Sequence, residues 1–320
     1  MSSEGHHTAA DDDAGNAYRA LAETTSDGDP RWAFGSGFDS GSDAVEAEIT
    51  SPVPDGVDAA DLAAYCLMLG DDALICSQRL AEWVAAAPEL EEEVALANIA
   101  LDLLGQARVL LSRAGHVEGR DSSPMDGTAV ADEDALAYFR DERALRNVTL
   151  AEVDGGDFGR TIARLLVFSS WRLALLQRLT ASRDPVLAAV AGKGVKEVAY
   201  HRDYAARWTL RLGDGTAVSR QRMQAGLDGI WPHVESLFTT HDVERRLAHA
   251  GVAADPGDTR ADVDAVLDEV LGRATLHRPD VPAVGLVAGR GGRDGVHTEA
   301  LGHLLAEMQS LARIHPEAAW

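Results

Sequence analysis

The chain has 320 residues, 46% of them apolar and 25% charged, enough for one large domain or two small ones with a buried core. Its 52 acids against 29 bases give a formal net charge of −23, a sign that excludes a phosphate-gripping nucleic-acid surface and docking on an anionic membrane. No uninterrupted apolar stretch reaches the ~18 residues of a membrane span, and the N-terminus has neither the basic nor the apolar region of a secretory signal. These features set the expectation of a cytoplasmic protein.

Residues 1–57 hold twelve acids and two bases among many Gly, Ser and Asp, with no sustained period. They are expected to form an acidic, disordered extension, with residues 58–320 as the folded domain. His6 and His7 in that stretch are read as solvated. The acids are mostly Asp (32, against 20 Glu), and the only two lysines are Lys193 and Lys196. A strongly negative, lysine-poor surface suits a protein kept soluble in concentrated salt, where screening removes self-repulsion. A halophilic source is expected on that ground.

From Asp58 onward the chain reads as helices. Leu62, Tyr65, Leu69, Cys76, Leu80 and Trp83 recur at helical spacing, and Pro88 follows. Cys66 and Cys76, ten residues apart on that helix, are separated by ~15 Å along its axis, too far for a disulfide, and are read as buried thiols. Glu89, Glu91, Glu92 and Glu93 then suit the start of a second helix. The four long segments are 59–86, 89–114, 158–181 and 185–212, the last opened by Pro185. A loop is expected over 116–131 and a short helix over 132–147, with further helices over 216–238, 242–250, 260–276 and 297–315. Between the last two lies a Gly/Pro-rich loop whose GRGGR segment sits between no strand and helix, so it gives no support to a nucleotide fold. No strand is predicted. Two helical hairpins joined by a longer connection define an all-α, ferritin-like four-helix bundle with additional C-terminal helices.

That shape has a specific chemistry to test. Di-iron carboxylate bundles take a Glu from each of two helices and a Glu-x-x-His from each of the other two. The i, i+3 spacing sets carboxylate and imidazole one turn apart on one face. In the helical region the residues three before each His are Arg113, Val198, Ile230, Phe238, Arg246, Ala274, Asp294, Ala300 and Ala312, none of them Glu. The second long helix offers Asn98, Asp102 and Gln106; the fourth offers Glu197 and His201 at i, i+4 beside Lys196. Such a set reads first as a hydrogen-bonded polar cluster left in a bundle. A mononuclear metal site from Glu82, Asp102, Glu197 and His201 is the rival reading. Glu299, His303 and Glu307 form a row at i, i+4, i+8 on the last helix, read as a solvated or partner-facing stripe. No Gly-x-Ser-x-Gly and no Walker loop occurs.

Several segments resemble a known family: AYCLMLGDDALICSQRLAEW (64–83), APELEEEVALANIALDLLGQAR (87–108), RDERALRN (140–147), TIARLL (161–166), SRDPVLAAVAGKGVKEVAYHRDYAARWTLRLGDGT (182–216) and GVHTEALGHLLAEMQSLARIHPEAAW (295–320). In order and spacing they resemble the C subunits of the ring-1,2-phenylacetyl-CoA epoxidases, multicomponent bacterial monooxygenases. The resemblance covers about 60–320. It implies a ferritin-like fold and a structural subunit that has lost the iron ligands; Glu82, Asp102, Gln106, Glu197 and His201, from the search of the helices, are then the expected former metal-site positions. It further implies a homologous di-iron catalytic partner, a small bridging subunit, and a reductase carrying FAD and an iron–sulfur centre, with no cofactor in this chain. Asn98, Glu299, His303 and Glu307 are the expected partner-facing positions. A self-standing metal-dependent oxygenase and a ferritin-like metal-binding protein are the alternatives.

Overall fold

Apolar residues at helical spacing build four long rods here, and short turns fold them back in pairs. The computed structural model describes residues 49–119, 132–316 and 318. In chain order the helices are α1 (Ala59–Ala81), α2 (Leu90–Val117), α3 (Asp132–Tyr138), α4 (Thr149–Glu152), α5 (Phe158–Leu179), α6 (Pro185–Gly213), α7 (Ala217–Ile230), α8 (Asp242–His249), α9 (Arg260–Arg273) and α10 (Glu299–Ile314). Helix α1 packs on α2 and α5 on α6, and α2 also packs on α6, closing a four-helix bundle. The two hairpins are joined by the long connection from Glu118 to Asp157 that carries α3 and α4, the ferritin-like arrangement. Helices α7 and α9 cover α5, while α10 packs on α1, α3 and α4. Among the described residues there is no strand, only the isolated bridge between Val287 and Arg290.

Local signals set the helix ends. Asp58, Asp157 and Asp184 each cap a long helix by accepting the amide N–H three residues on, at 2.9, 3.0 and 3.0 Å. Each cap contributes about 1 kcal/mol. Pro185 follows Asp184 at the first helical position, where no amide hydrogen is needed. Glu89 makes no side-chain cap, and Glu91, Glu92 and Glu93 complement the dipole of α2 instead. The core takes one whole side of each rod: Leu62, Leu69, Ile75 and Leu80 from α1, Leu96, Leu103 and Leu110 from α2, and Ile162, Leu166 and Trp171 from α5 are all buried. Each such leucine contributes roughly 2 kcal/mol of burial.

The structure departs from the expected elements in four places. Helix α1 ends at Ala81 rather than 86, and turns with Ala85 at φ +65° follow. The short helix over 132–147 is α3 alone, followed by a 3-10 turn (Glu142–Ala144) and the further short helix α4. The helix over 216–238 stops at Ile230, and 3-10 turns continue across Pro232, which lacks the amide hydrogen a helix interior needs. Finally, the expected extension over 1–57 lies outside the described residues up to residue 48. Residues 49–57 are seated on the domain: Arg113 donates to the Ile49 carbonyl (2.8 Å), Arg183 to that of Asp55 (3.1 Å), and Val53 and Val57 pack on the core.

Buried charges lock the C-terminal segments to the bundle. Arg293, in the Gly-rich loop before α10, reaches the core and donates to both oxygens of Asp72 on α1 (3.0 and 2.9 Å) and to the carbonyls of Met68 and Arg146. The loop approaches so closely that a Cβ on Gly292 would lie 2.3 Å from the Asn147 carbonyl oxygen. Burial pushes the Asp72 carboxyl up and Arg293 pulls it back. Arg113 of α2 and Asp184 at the head of α6 form a second pair, both fully buried, at 2.6 Å.

Candidate functional site

Helices α2 and α6 run antiparallel, so residues one turn apart on each meet as rungs. Asp102 Oδ2 lies 3.0 Å from His201 Nε2, and Gln106 Nε2 donates to Glu197 Oε2 at 2.9 Å. The His201 ring is buried while Asp102 is 39% exposed, so the first rung runs from the core to the rim. Behind the second rung stands a residue that the sequence reading did not single out. Arg172 of α5, 1% exposed, donates from Nε to Gln106 Oε1 (3.0 Å) and from Nη1 to the Leu69 carbonyl of α1 (3.4 Å). Glu197 also pairs with Lys193 at 3.3 Å. A continuous polar line, Arg172–Gln106–Glu197–Lys193, thus crosses the bundle from its middle to the surface.

The electrostatics of this centre are those of a fixed cation. Burial lowers the pKa of Arg172, with Asp72 opposing, and its Nη2 finds no hydrogen-bond partner among the described residues. Such a guanidinium keeps its charge at any working pH. Sequence carried a sign of it: one Arg within the apolar run LLVFSSWRLALL, like the adjacent Asp71 and Asp72 within α1.

Four of the five expected former-ligand positions, Asp102, Gln106, Glu197 and His201, therefore do come together. Glu82 does not. It is the C-cap of α1, held by Arg79 at 2.6 Å. That is about 20 Å along the helix from Leu69, at the level of Arg172. The mononuclear set that included Glu82 is thereby corrected. The axial rise of the helix alone keeps Glu82 from the seam, wherever α1 ends.

A di-iron centre does not fit the residues present. It requires four carboxylates and two imidazoles aimed at one point, and among the described residues no three His, Cys, Asp or Glu side chains gather as a metal site. The two carboxylates of the seam are each committed to a hydrogen-bonded partner, and a guanidinium stands behind them. The Glu-x-x-His spacing does occur once, at Glu4 and His7, beyond the described residues.

Of the expected partner-facing positions, Asn98 is exposed on α2, amid an apolar stripe that is also exposed: Leu90 (71%), Val94 (47%), Leu101 (48%) and Leu104 (43%). Helix α2 is long and apolar enough to cross a membrane by length and composition alone, and 44% of its most apolar stretch is buried against the bundle. Glu299 and His303 on α10 are 92% and 78% exposed and face each other at 3.6 Å, with Glu307 exposed beside them. They form a solvated row, apart from the α2 stripe.

Comparison with known proteins bears on this arrangement directly. Residues 50–320 match the family described as phenylacetic acid catabolic protein. This chain belongs to that family. It is 44% identical over 259 residues to the C subunit of the 1,2-phenylacetyl-CoA epoxidase of Escherichia coli (strain K12), a match that spans 81% of this chain and 99% of that protein. The family's ferritin-like helical fold is the one observed.

Proposed function

We propose that this chain is the structural, non-catalytic subunit of a phenylacetyl-CoA 1,2-epoxidase, pairing with and stabilising a homologous di-iron catalytic subunit in aerobic phenylacetate catabolism. The observation that carries this reading is Arg172. A ferritin-like bundle that performed the oxygenation itself would gather carboxylates around a metal pair, and here a buried guanidinium with a hydrogen-bonded amide stands between the helices. The match to a relative of the C type supports the same assignment. The partner supplies the oxidising metal chemistry; a small bridging subunit and a flavin/iron–sulfur reductase complete the assembly.

Residues on the outside of α2 support a docking role. Leu90, Val94, Ala97, Leu101 and Leu104 repeat at intervals of four and three, the spacing of a seam that a partner helix covers. Tyr200, 54% exposed, and the chain's two lysines lie on the neighbouring α6. An apolar face on a chain of net charge −23 is suited to a partner surface rather than to water. Covering it stiffens α2 from outside while Arg172 and Gln106 hold it from inside.

The test is co-expression with the neighbouring catalytic subunit and co-purification. Leu101→Asp with Leu104→Asp, both at exposed positions, leaves this chain folded by circular dichroism and lowers recovery of the complex at least tenfold. Glu299→Lys with Glu307→Lys on α10 distinguishes the two faces. If the α2 pair leaves recovery unchanged and the α10 pair abolishes it, the docking face is α10 and not α2.

A further inference from the structure

His297, just ahead of α10, has a ring with no exposure and an oxygen at each nitrogen. Nδ1 lies 2.7 Å from Glu152 Oε2 and Nε2 lies 3.1 Å from the Leu145 carbonyl. A carbonyl oxygen only accepts, so Nε2 carries a hydrogen. The Glu152 carboxylate already accepts the Thr298 amide N–H on Oε1 (2.6 Å) and the Asn147 side-chain amide on Oε2 (2.7 Å). Two N–H donors on one carboxylate favour its anion, so Nδ1 carries a hydrogen as well. A neutral imidazole has a single N–H and would set a lone pair against one of the two oxygens. We propose that His297 is a buried imidazolium in the native fold and serves as a pH-sensitive clasp on the N-terminal end of α10, which loosens when that proton is lost.

The clasp closes a junction of several elements. Glu152 ends α4, Leu145 precedes α4, and Thr298 is the N-cap of α10. Arg79 of α1 ties the same place from the other side, donating to the carbonyls of Glu152 (3.0 Å) and Ala300 (2.8 Å). Gly295, at φ +76°, turns the loop into this junction against the Arg143 carbonyl, where a Cβ has no room.

Charged groups face His297 from each side. Glu152 of α4 and Glu142 of the preceding 3-10 turn favour its charge, while burial opposes it; burial is the largest single influence, yet the balance lies above the ordinary 6.5. Arg146 shares the Leu145 carbonyl (2.9 Å). His233, in the turn after α7, feels the same Glu152, but burial lowers its pKa and its Nδ1 has no hydrogen-bond partner among the described residues. One carboxylate thus has a charged histidine on one side and a neutral one on the other. Asp294, three residues before His297, is taken up by His241 (3.3 Å), and Glu299 is in water.

The sign follows from linkage. A group whose pKa is raised by folding contributes stability that is full below its unfolded value and is lost as pH rises through the folded value. Gln309, further along the helix, is bonded to the carbonyls of Ala137 and Arg140, so the first turns of α10 are expected to open while the later turns stay docked.

Hydrogen exchange on the full-length chain between pH 6 and pH 9.5, corrected for intrinsic rates, tests this. Protection over residues 298–305 is expected to fall at least tenfold across that range while α1 stays constant. His297→Gln is expected to give low protection at pH 6 and no further change beyond twofold. In the native chain, histidine NMR is expected to show two slowly exchanging ring N–H groups on His297 at pH 6 and a midpoint above 6.5. A single ring N–H at pH 6, a midpoint below 6.5, or protection of 298–305 independent of pH would each overturn the proposal. Should His297→Gln not fold, the native chain alone decides.

Discussion

Arg172 is a cation with three constraints and one unmet hydrogen-bonding group, and its energetics follow from that. Removing it strands the Gln106 carbonyl oxygen in the core, while buried Asp72 keeps its pairing with Arg293. Leaving a buried hydrogen-bonding group unsatisfied costs about 1–3 kcal/mol. Arg172→Ala is therefore expected to lower the urea-unfolding free energy by that amount; a change under about 1 kcal/mol would mean that Arg172 does not hold the bundle's centre. The same residue marks what was legible in sequence. Asp102, Gln106, Glu197 and His201 could be gathered in advance because helical spacing places 102 with 106 and 197 with 201 on one face each. Arg172 could not be assigned to that cluster, because its partner Gln106 is 66 residues away and only the closing of the bundle brings α5 across from α2. Glu82 failed on axial level: it sits about 20 Å along α1 from the height of Arg172.

At the scale of elements, the four long helices were readable because their apolar period, their Asp caps and their Glu- or Pro-rich starts agree with one another. The junction at α4 and α10 was not. A four-residue helix has no period to detect, and the loop 274–298 gains its place through tertiary contacts, among them the reach of Arg293 to Asp72 and of His297 to Glu152. That reach depends on Gly292. Gly292→Ala forces a methyl group against the Asn147 carbonyl oxygen, and overpacking of this kind costs about 1–3 kcal/mol. The expected result is a lower thermal midpoint together with faster hydrogen exchange in 289–298, while α2 and α6 stay unaffected. Exchange that rises uniformly over the chain would contradict a local role for the loop.

For the whole molecule, charge and two histidines set the response to solvent. With a net charge of −23, self-repulsion opposes the compact state, and screening by salt relieves it. The thermal midpoint is expected to rise steadily from dilute buffer to molar potassium chloride, and a flat dependence would argue against adaptation to salt. With pH the expected curve has two sides. His233, its pKa lowered by burial, holds full stability above 6.5 and loses it as pH falls, and Asp61, lowered by the Arg246 hydrogen bond, adds a further loss below its ordinary 3.8. His297 acts in the opposite direction and weakens the fold as pH rises. Stability at constant salt should therefore peak near pH 6.5.

The assignment as a partner rather than a catalyst is tested most directly by iron analysis and turnover together. The chain is purified alone and as a complex with its catalytic subunit, both after growth in iron, and each is assayed with the reductase for epoxidation of phenylacetyl-CoA. The account predicts less than a tenth of an iron atom per chain and no product for this subunit alone, and two irons with turnover for the complex. Two irons bound by this chain alone, with product formed in the partner's absence, would contradict it.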